Sequence, residues 1–211
     1  MEQKNYWNDV AETKTFTTPF QSKEFERYVS KKAIIVDVGC GYGRTLNELS
    51  ALGYENLTGF DFSKEMIKRG NATFPQLNLH TMVEGHIPAA DNSVDAVILF
   101  AVLTCISSND DQEQLIRNIR RVLKKDGVIY VNDFLLNEDS RNLERYEKYC
   151  EKHGVYGVFE LPEGAVLRHH SEEWIKTLLS DFEELEYEHL TFTTMNGNKS
   201  NGFYYIGRKA L

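Results

Sequence analysis

A short apolar run followed by alternating glycines constrains this chain more than any other feature. Residues 33–38 read Ala-Ile-Ile-Val-Asp-Val, and glycines follow at positions 39, 41 and 43. A brief β-branched run predicts a buried strand, and the stretch from Arg44 to Leu52 predicts a helix that Gly53 ends. Glycine lets the backbone turn sharply and lets a ligand approach with no Cβ in the way. Because ligands of open parallel sheets bind at such strand-to-helix turns, the motif predicts a binding site here.

The alternation of strand and helix continues to about residue 134. Helices are predicted to start at Ser63 and at Ser108 or Asn109, the second ending at Asp126-Gly127. Four further strands are predicted between and after the helices: Leu57–Asp61, Leu77–Val83, Val94–Phe100 and Val128–Phe134. Strands that alternate with helices pair in parallel through right-handed crossovers, so the pattern predicts a doubly wound α/β sheet.

The pattern changes after the fifth strand. The stretch from Asp139 to His153 is charged and helix-prone, and Val155 to His170 is irregular and rich in aromatic residues. Ser171 is expected to cap a helix that runs to about Leu179. Two long strands follow at 182–194 and 203–208, with turn signals at Asn196-Gly197 and Asn201-Gly202. This end is interpreted as an antiparallel hairpin on the sheet edge.

Length and charge narrow the functional classes. The 211 residues suit a single domain, 1–211, with a helical N-terminal segment at 1–32. The net charge of −8 gives no support for a nucleic-acid partner. The longest apolar run, Ala96 to Ile106, is too short to span a bilayer, and the first residues contain no apolar signal segment, so a cytoplasmic location is expected. The three cysteines show no zinc-binding spacing, and no metal is expected.

Acidic residues lie at or just after the ends of the first three predicted strands and suggest which ligand binds. The spacing Gly-x-Gly-x-Gly differs from the Gly-x-Gly-x-x-Gly of dinucleotide folds, and Asp37 would sit badly beside a diphosphate. Asp37 suits a ligand with an ammonium group and a sulfonium. Asp61 ends the second strand, where a carboxylate can accept hydrogen bonds from both hydroxyls of a ribose. Glu84 follows the third strand, within reach of an adenine amino group.

These motifs, together with the Pro-x-x-Asp-Asn-Ser-Val-Asp stretch from Pro88 and the Lys-Lys-Asp-Gly turn from Lys124, resemble class I S-adenosylmethionine-dependent methyltransferases over about Ile34 to Phe134. The resemblance implies a seven-stranded Rossmann-like sheet, mostly parallel with an antiparallel C-terminal strand, in the order 3-2-1-4-5-7-6. It implies S-adenosylmethionine as cofactor, with the glycines at its methionine part, Asp61 at the ribose, and Glu84 and His86 near the adenine. The cofactor-binding candidates are Asp37, Gly39, Cys40, Gly41, Gly43, Asp61, Phe62, Glu84, Gly85, His86 and Phe100.

The methyl acceptor is expected to be a small molecule of unidentified class, and the oligomeric state is left open. Residues 139–170 are expected to form a lid over the acceptor, because they follow the fifth strand and mix aromatic with charged side chains. Candidate substrate-binding residues are Tyr146, Tyr149, His169 and His170, and either histidine is a candidate base. Tyr6 and Trp7 are candidates to fold over the cofactor. Two alternatives remain: an S-adenosylmethionine-binding protein without catalysis, and an NAD(P)-dependent oxidoreductase.

Overall fold

The computed structural model describes residues 3–83, 85–194 and 197–210. Nine strands occur in this part of the chain: β1 (Ile34–Val38), β2 (Asn56–Asp61), β3 (Asn78–Thr81), β4 (Val94–Phe100), β5 (Leu123–Phe134), β6 (Val158–Glu160), β7 (Val166–Arg168), β8 (Phe182–Thr193) and β9 (Lys199–Lys209). Its α-helices are α1 (Gln3–Asp9), α2 (Ser22–Phe25), α3 (Arg44–Ala51), α4 (Lys64–Thr73), α5 (Asn109–Val122), α6 (Ser140–His153) and α7 (Glu172–Leu178), and a 3₁₀ turn spans Leu103–Cys105.

Seven strands form one sheet in the order β3-β2-β1-β4-β5-β9-β8. The first five pair in parallel, whereas β9 runs antiparallel to both β5 and β8. Since β8 and β9 are the sixth and seventh strands of this sheet, the order is the expected 3-2-1-4-5-7-6, and the fold prediction is confirmed. The reversal of strand order beside β1 places a crevice at the carboxyl ends of β1 and β4.

Both faces of the central strands are covered, which explains their nearly continuous apolar sequences. In β4, Val97 and Leu99 face a core completed by α5 and α7, whereas Ala96 and Ile98 face a core completed by α2 and α3. Side-chain caps fix where the helices begin. Ser63 accepts a hydrogen bond from the amide of Met66 at 3.2 Å, and Ser108 and Ser171 cap α5 and α7 in the same way.

Three local predictions are wrong. Helix α5 ends at Val122, ahead of Asp126-Gly127, because Leu123 is fully buried and already pairs with Val94 at the start of β5. The stretch 155–170 contains the β6–β7 hairpin.

The third error concerns Asn201-Gly202, which lies inside β9 and forms no turn. A Cβ at position 202 would lie 1.9 Å from the Phe192 ring of the neighbouring strand. This glycine therefore makes room for an aromatic side chain. A glycine that provides space and a glycine that permits a turn look alike in a sequence.

The N-terminal segment contains the two short helices α1 and α2, joined by irregular chain. No helix in the described ranges is both long and apolar enough to cross a membrane.

Candidate cofactor and acceptor site

A cavity of about 240 Å³ lies at the carboxyl ends of β1, β2 and β4. Its floor is the glycine turn after β1 together with the ends of β2 and β4. Tyr6, Trp7 and Phe16 of the N-terminal segment line one side of it. The segment after β5 lines the other side, through α6 and the β6–β7 hairpin. The cavity therefore lies between the sheet and two covering segments.

The glycine turn leaves room in this cavity because two of its residues have no side chain. Gly39 and Gly41 have positive φ angles of 75° and 56° and both line the cavity. A Cβ would lie 2.5 Å from Val102 at position 39 and 2.7 Å from Phe16 at position 41. Gly43 is the N-cap of α3 and packs against Leu79, behind the cavity wall. The turn thus offers backbone to a ligand at the first two glycines only.

Asp61 links the glycine turn after β1 to the turn that precedes α4. One carboxylate oxygen accepts a hydrogen bond from the Gly41 amide and the other from the Ser63 amide, each at 2.8 Å. Burial raises the pKa of Asp61, and the two amide bonds oppose that rise. Each oxygen can accept further hydrogen bonds, so the side chain fits ribose hydroxyls while it also holds the turn.

A second buried carboxylate, Asp37, lines the same floor. Burial, together with the negative charge of Asp61, raises its pKa to about 7, and Arg44 opposes both effects. Two carboxylates here would repel a diphosphate and would attract a cationic ligand, which fits a sulfonium nucleoside better than NAD(P).

Arg44 is a site residue that sequence reasoning missed. It lines the cavity, and its guanidinium lies 5.4 Å from the centre of the Phe100 ring. Nη1 binds Glu48 at 2.7 Å, whereas the buried Nε has no hydrogen-bond partner among the described residues. That donor fits the carboxylate of a bound amino acid. Its position as the first helical residue after the glycine turn was the sequence signal that could have identified it as a ligand-binding residue.

Other cofactor candidates divide into two groups. Cys40, Phe62 and Phe100 line the cavity, and burial raises the pKa of the Cys40 thiol well above its usual range, so it stays uncharged. Gly85 and His86 do not line the cavity, since the chain after β3 turns toward α5, where the Gly85 carbonyl accepts a hydrogen bond from Asn118 at 2.8 Å. Glu84 lies outside the described residues.

Of the four acceptor-site candidates, His169 alone lines the cavity. Tyr146 lies behind it, fully buried, with its hydroxyl 2.6 Å from the His169 Nδ1. Tyr149 packs against His153 on the outer side of α6. Two side chains that the sequence reasoning did not single out, Arg141 and Arg145, also line this end.

His170 is placed in the core, which corrects its assignment to the acceptor site. Its Nδ1 lies 3.0 Å from the Phe134 carbonyl oxygen and its Nε2 lies 2.9 Å from the Gln112 amide nitrogen. Burial lowers the pKa of this ring to about 3, so it is neutral and holds β5 to α5.

Comparison with known proteins supports the same interpretation. The family model described as "Methyltransferase domain" matches residues 36–131. The O-methyltransferase resE of Aspergillus sclerotiorum is 26% identical over 98% of this chain and 75% of its own. The desmethylxanthohumol 6'-O-methyltransferase of Humulus lupulus is 32% identical over 53% of this chain, and the matched part is 31% of that enzyme. O-methyltransferase 3 of Dictyostelium discoideum is 30% identical over 50% of this chain, which corresponds to 26% of that protein.

A solved structure of a SAM-dependent methyltransferase from Methanosarcina mazei superposes with a TM-score of 0.86, covering 92% of this chain and 100% of the other, at 24% identity. At that identity the likeness concerns the fold. The matching family model assigns residues 36–131 to a methyltransferase domain, and the strand order is the one that the resemblance to class I S-adenosylmethionine-dependent methyltransferases predicted.

Proposed function

We propose that this enzyme methylates an oxygen atom of a small molecule that binds in the cavity between the glycine turn and residues 139–170. The cavity carries this proposal, because covering segments border it on both sides and concave clefts with a few polar groups typically bind small molecules. The oxygen atom is proposed because several relatives are named as O-methyltransferases.

The proposed roles of the cofactor-side residues follow from their positions. Bound S-adenosylmethionine supplies a methyl group activated by a sulfonium. Asp61 would accept hydrogen bonds from the ribose, the Arg44 Nε would donate to the amino-acid carboxylate, and Asp37 would face the ammonium group. Tyr6 and Trp7 would exclude water above them. Positioning of this kind contributes roughly 7–11 kcal/mol in reactions between aligned groups.

His169 fits a positioning role better than the role of a base. Burial lowers its pKa well below its usual range, with Arg145 adding to the effect, so the ring is a poor proton acceptor. The proposed acceptor oxygen is therefore one that ionises readily by itself, such as that of a carboxylic acid or an acidic phenol.

Titration calorimetry followed by a transfer assay tests the proposal. We expect the chain to bind S-adenosylhomocysteine and not NAD or NADP, and to move a labelled methyl group from S-adenosylmethionine to members of a panel of small acids and phenols. Binding without transfer to any panel member, together with capture of a stable partner protein, would favour the non-catalytic alternative.

Replacing the proposed lid tests whether cofactor binding and methyl transfer depend on different parts of the site. The structure places Arg168, His169 and His170 among buried residues, so the proposed lid is best cut between Ser140 and Leu167. A Gly/Ser linker in place of that segment should preserve S-adenosylhomocysteine binding and abolish transfer, and full transfer by this variant would contradict a lid at 139–170.

A further inference from the structure

Cationic side chains line the end of the cavity that lies away from the glycine turn. Arg141 and Arg145 project from α6 into this end, beside His169. The chain as a whole carries a net charge of −8, so this local excess of positive charge is not a general property of the surface.

Carboxylates do not neutralise this end within the described residues. Three acidic side chains line the cavity, and two of them, Asp37 and Asp61, belong to the floor at the glycine turn. The third, Glu163, pairs with Lys14 across the mouth of the cavity at 3.9 Å. The two arginines therefore face the acceptor space without a matching anion on its wall.

Arg145 is the more enclosed of the two arginines. Its guanidinium carbon lies 3.4 Å from the centre of the Phe159 ring, and its buried Nε has no hydrogen-bond partner in the described part of the chain. It makes no ion pair with a described residue, whereas Arg141 approaches Asp139 at 3.7 Å. Burial lowers the pKa of Arg145. Tyr146 and the Phe159 ring contact the guanidinium, but a partly buried charge without an anionic partner is costly and is typical of a group that binds an anionic ligand.

His169 adds a neutral donor to the same wall. The Asn201 amide donates to Asn137 Oδ1 at 2.8 Å, so the amide nitrogen of Asn137 faces the His169 Nδ1, 3.1 Å away. Nδ1 therefore has donors around it, and its single lone pair accepts the hydrogen bond of the Tyr146 hydroxyl, the shorter contact at 2.6 Å, which assigns the ring proton to Nε2. The side chain that lines the cavity thus presents an N–H group.

We propose that the acceptor molecule carries a carboxylate, which the guanidinium of Arg145 binds and to which the Nε2–H of His169 donates. A planar guanidinium matches the two oxygens of a carboxylate, and the bonds are charge-assisted. Phe134 stacks on the His169 ring with centroids 5.5 Å apart, and Phe159 meets its edge at 4.9 Å, so the body of the acid would lie on an apolar surface. This inference rests on the proposed function.

Matched acids and amides test the proposal without any methyl transfer. The protein is first saturated with S-adenosylhomocysteine and is then titrated with each member of three acid–amide pairs: benzoate and benzamide, cinnamate and cinnamamide, and octanoate and octanamide. At least one acid should bind about tenfold more tightly than its amide, a difference of about 1.4 kcal/mol. Equal affinities throughout, or no measurable binding of any acid, would overturn the proposal. Failure to bind S-adenosylhomocysteine would instead contradict the cofactor assignment.

Variants of Arg145 test whether this residue causes the preference for an acid over its amide. Arg145→Gln should abolish the acid-over-amide preference while S-adenosylhomocysteine affinity stays unchanged, which also shows that the variant is folded. Arg117→Gln, on the exposed face of α5, is the matched control and should behave as the wild type. If Arg145→Gln loses S-adenosylhomocysteine as well, Arg145→Lys decides the matter, because it keeps the charge and loses the planar fork. An undiminished preference in either variant overturns the role of Arg145.

Discussion

Single residues in this site serve the fold and the ligand together. Asp61 holds the amides of Gly41 and Ser63 with its two oxygens, yet it also lines the cavity. The same carboxylate therefore positions the glycine turn and, in its proposed role, would accept hydrogen bonds from a ribose. His169 and His170 instead have separate roles. The His169 ring lines the cavity, whereas the His170 ring is buried in the core.

Replacing Asp61 should weaken cofactor binding. Asp61→Asn keeps the size of the side chain but replaces one acceptor oxygen with an NH₂ donor. That donor would face the backbone N–H of Gly41 or Ser63 and could no longer accept a hydrogen bond from a ribose hydroxyl. We expect the affinity for S-adenosylhomocysteine to fall at least about tenfold, or about 1.4 kcal/mol, as measured by titration calorimetry. Asp181→Asn, at an exposed site, is the control and should leave the affinity unchanged. An unaltered affinity in Asp61→Asn would refute the ribose assignment.

The buried ring of His170 should make stability depend on pH. Its pKa falls from 6.5 in the unfolded chain to about 3 in the fold, so the unfolded state binds more protons between these values. The stabilisation is complete above pH 6.5 and is lost as the pH falls toward 3. Urea denaturation at pH 7 and pH 4.5 should show a larger loss of unfolding free energy for the wild type than for His170→Gln. His80→Gln removes an exposed histidine as control, and equal losses in the wild type and His170→Gln would contradict the assignment.

At the scale of the elements, the short helix α1 depends on tertiary contacts. A helix of seven residues has no stability of its own in water. The Gln3 amide nitrogen donates to the Cys105 carbonyl at 3.0 Å and to the Val166 carbonyl of β7. Asn8 accepts a hydrogen bond from Ser63 at 2.8 Å, at the start of α4. The helix thus links both covering segments to the floor of the cavity.

Gln3→Ala should loosen this cover. With the two hydrogen bonds removed, the amides of residues 4–10 should exchange hydrogen faster, and S-adenosylhomocysteine affinity should fall by about 3- to 10-fold, corresponding to one net hydrogen bond of about 1 kcal/mol. Exchange measured by mass spectrometry and calorimetry provide the two readouts. Gln76→Ala, at an exposed position, controls for the loss of a glutamine. Unchanged exchange in α1 would show that other contacts hold it.

At the scale of the whole molecule, the sheet order explains why the site lies where it does. Strands β1 and β4 are neighbours, but the helices that follow them pack on opposite faces, so their carboxyl ends open into a crevice. The N-terminal segment and the segment after β5 both cross this opening. Segments that are distant in sequence therefore meet above one short turn and together bound the cavity.

The sequence by itself predicted the parallel strands and helices of the sheet and a binding site at the glycine turn, and the family resemblance supplied the strand order. Apolar runs, cap residues and the glycine spacing are local signals, and Asp37, Gly39, Gly41 and Asp61 all lie within one strand–helix–strand unit. Local patterns could not reveal that Asn201-Gly202 makes room for Phe192, or that α5 ends at Val122 so that Leu123 is buried.

The cavity end that we propose for the acceptor is formed by tertiary structure alone. Arg145 and His169 are 24 positions apart and face one space only because α6 and the β6–β7 hairpin fold back over the sheet. His169 and His170 are adjacent in sequence, and only packing determines which of them is exposed to a ligand. Side-chain direction in irregular chain depends on long-range contacts, and these are absent from any local pattern.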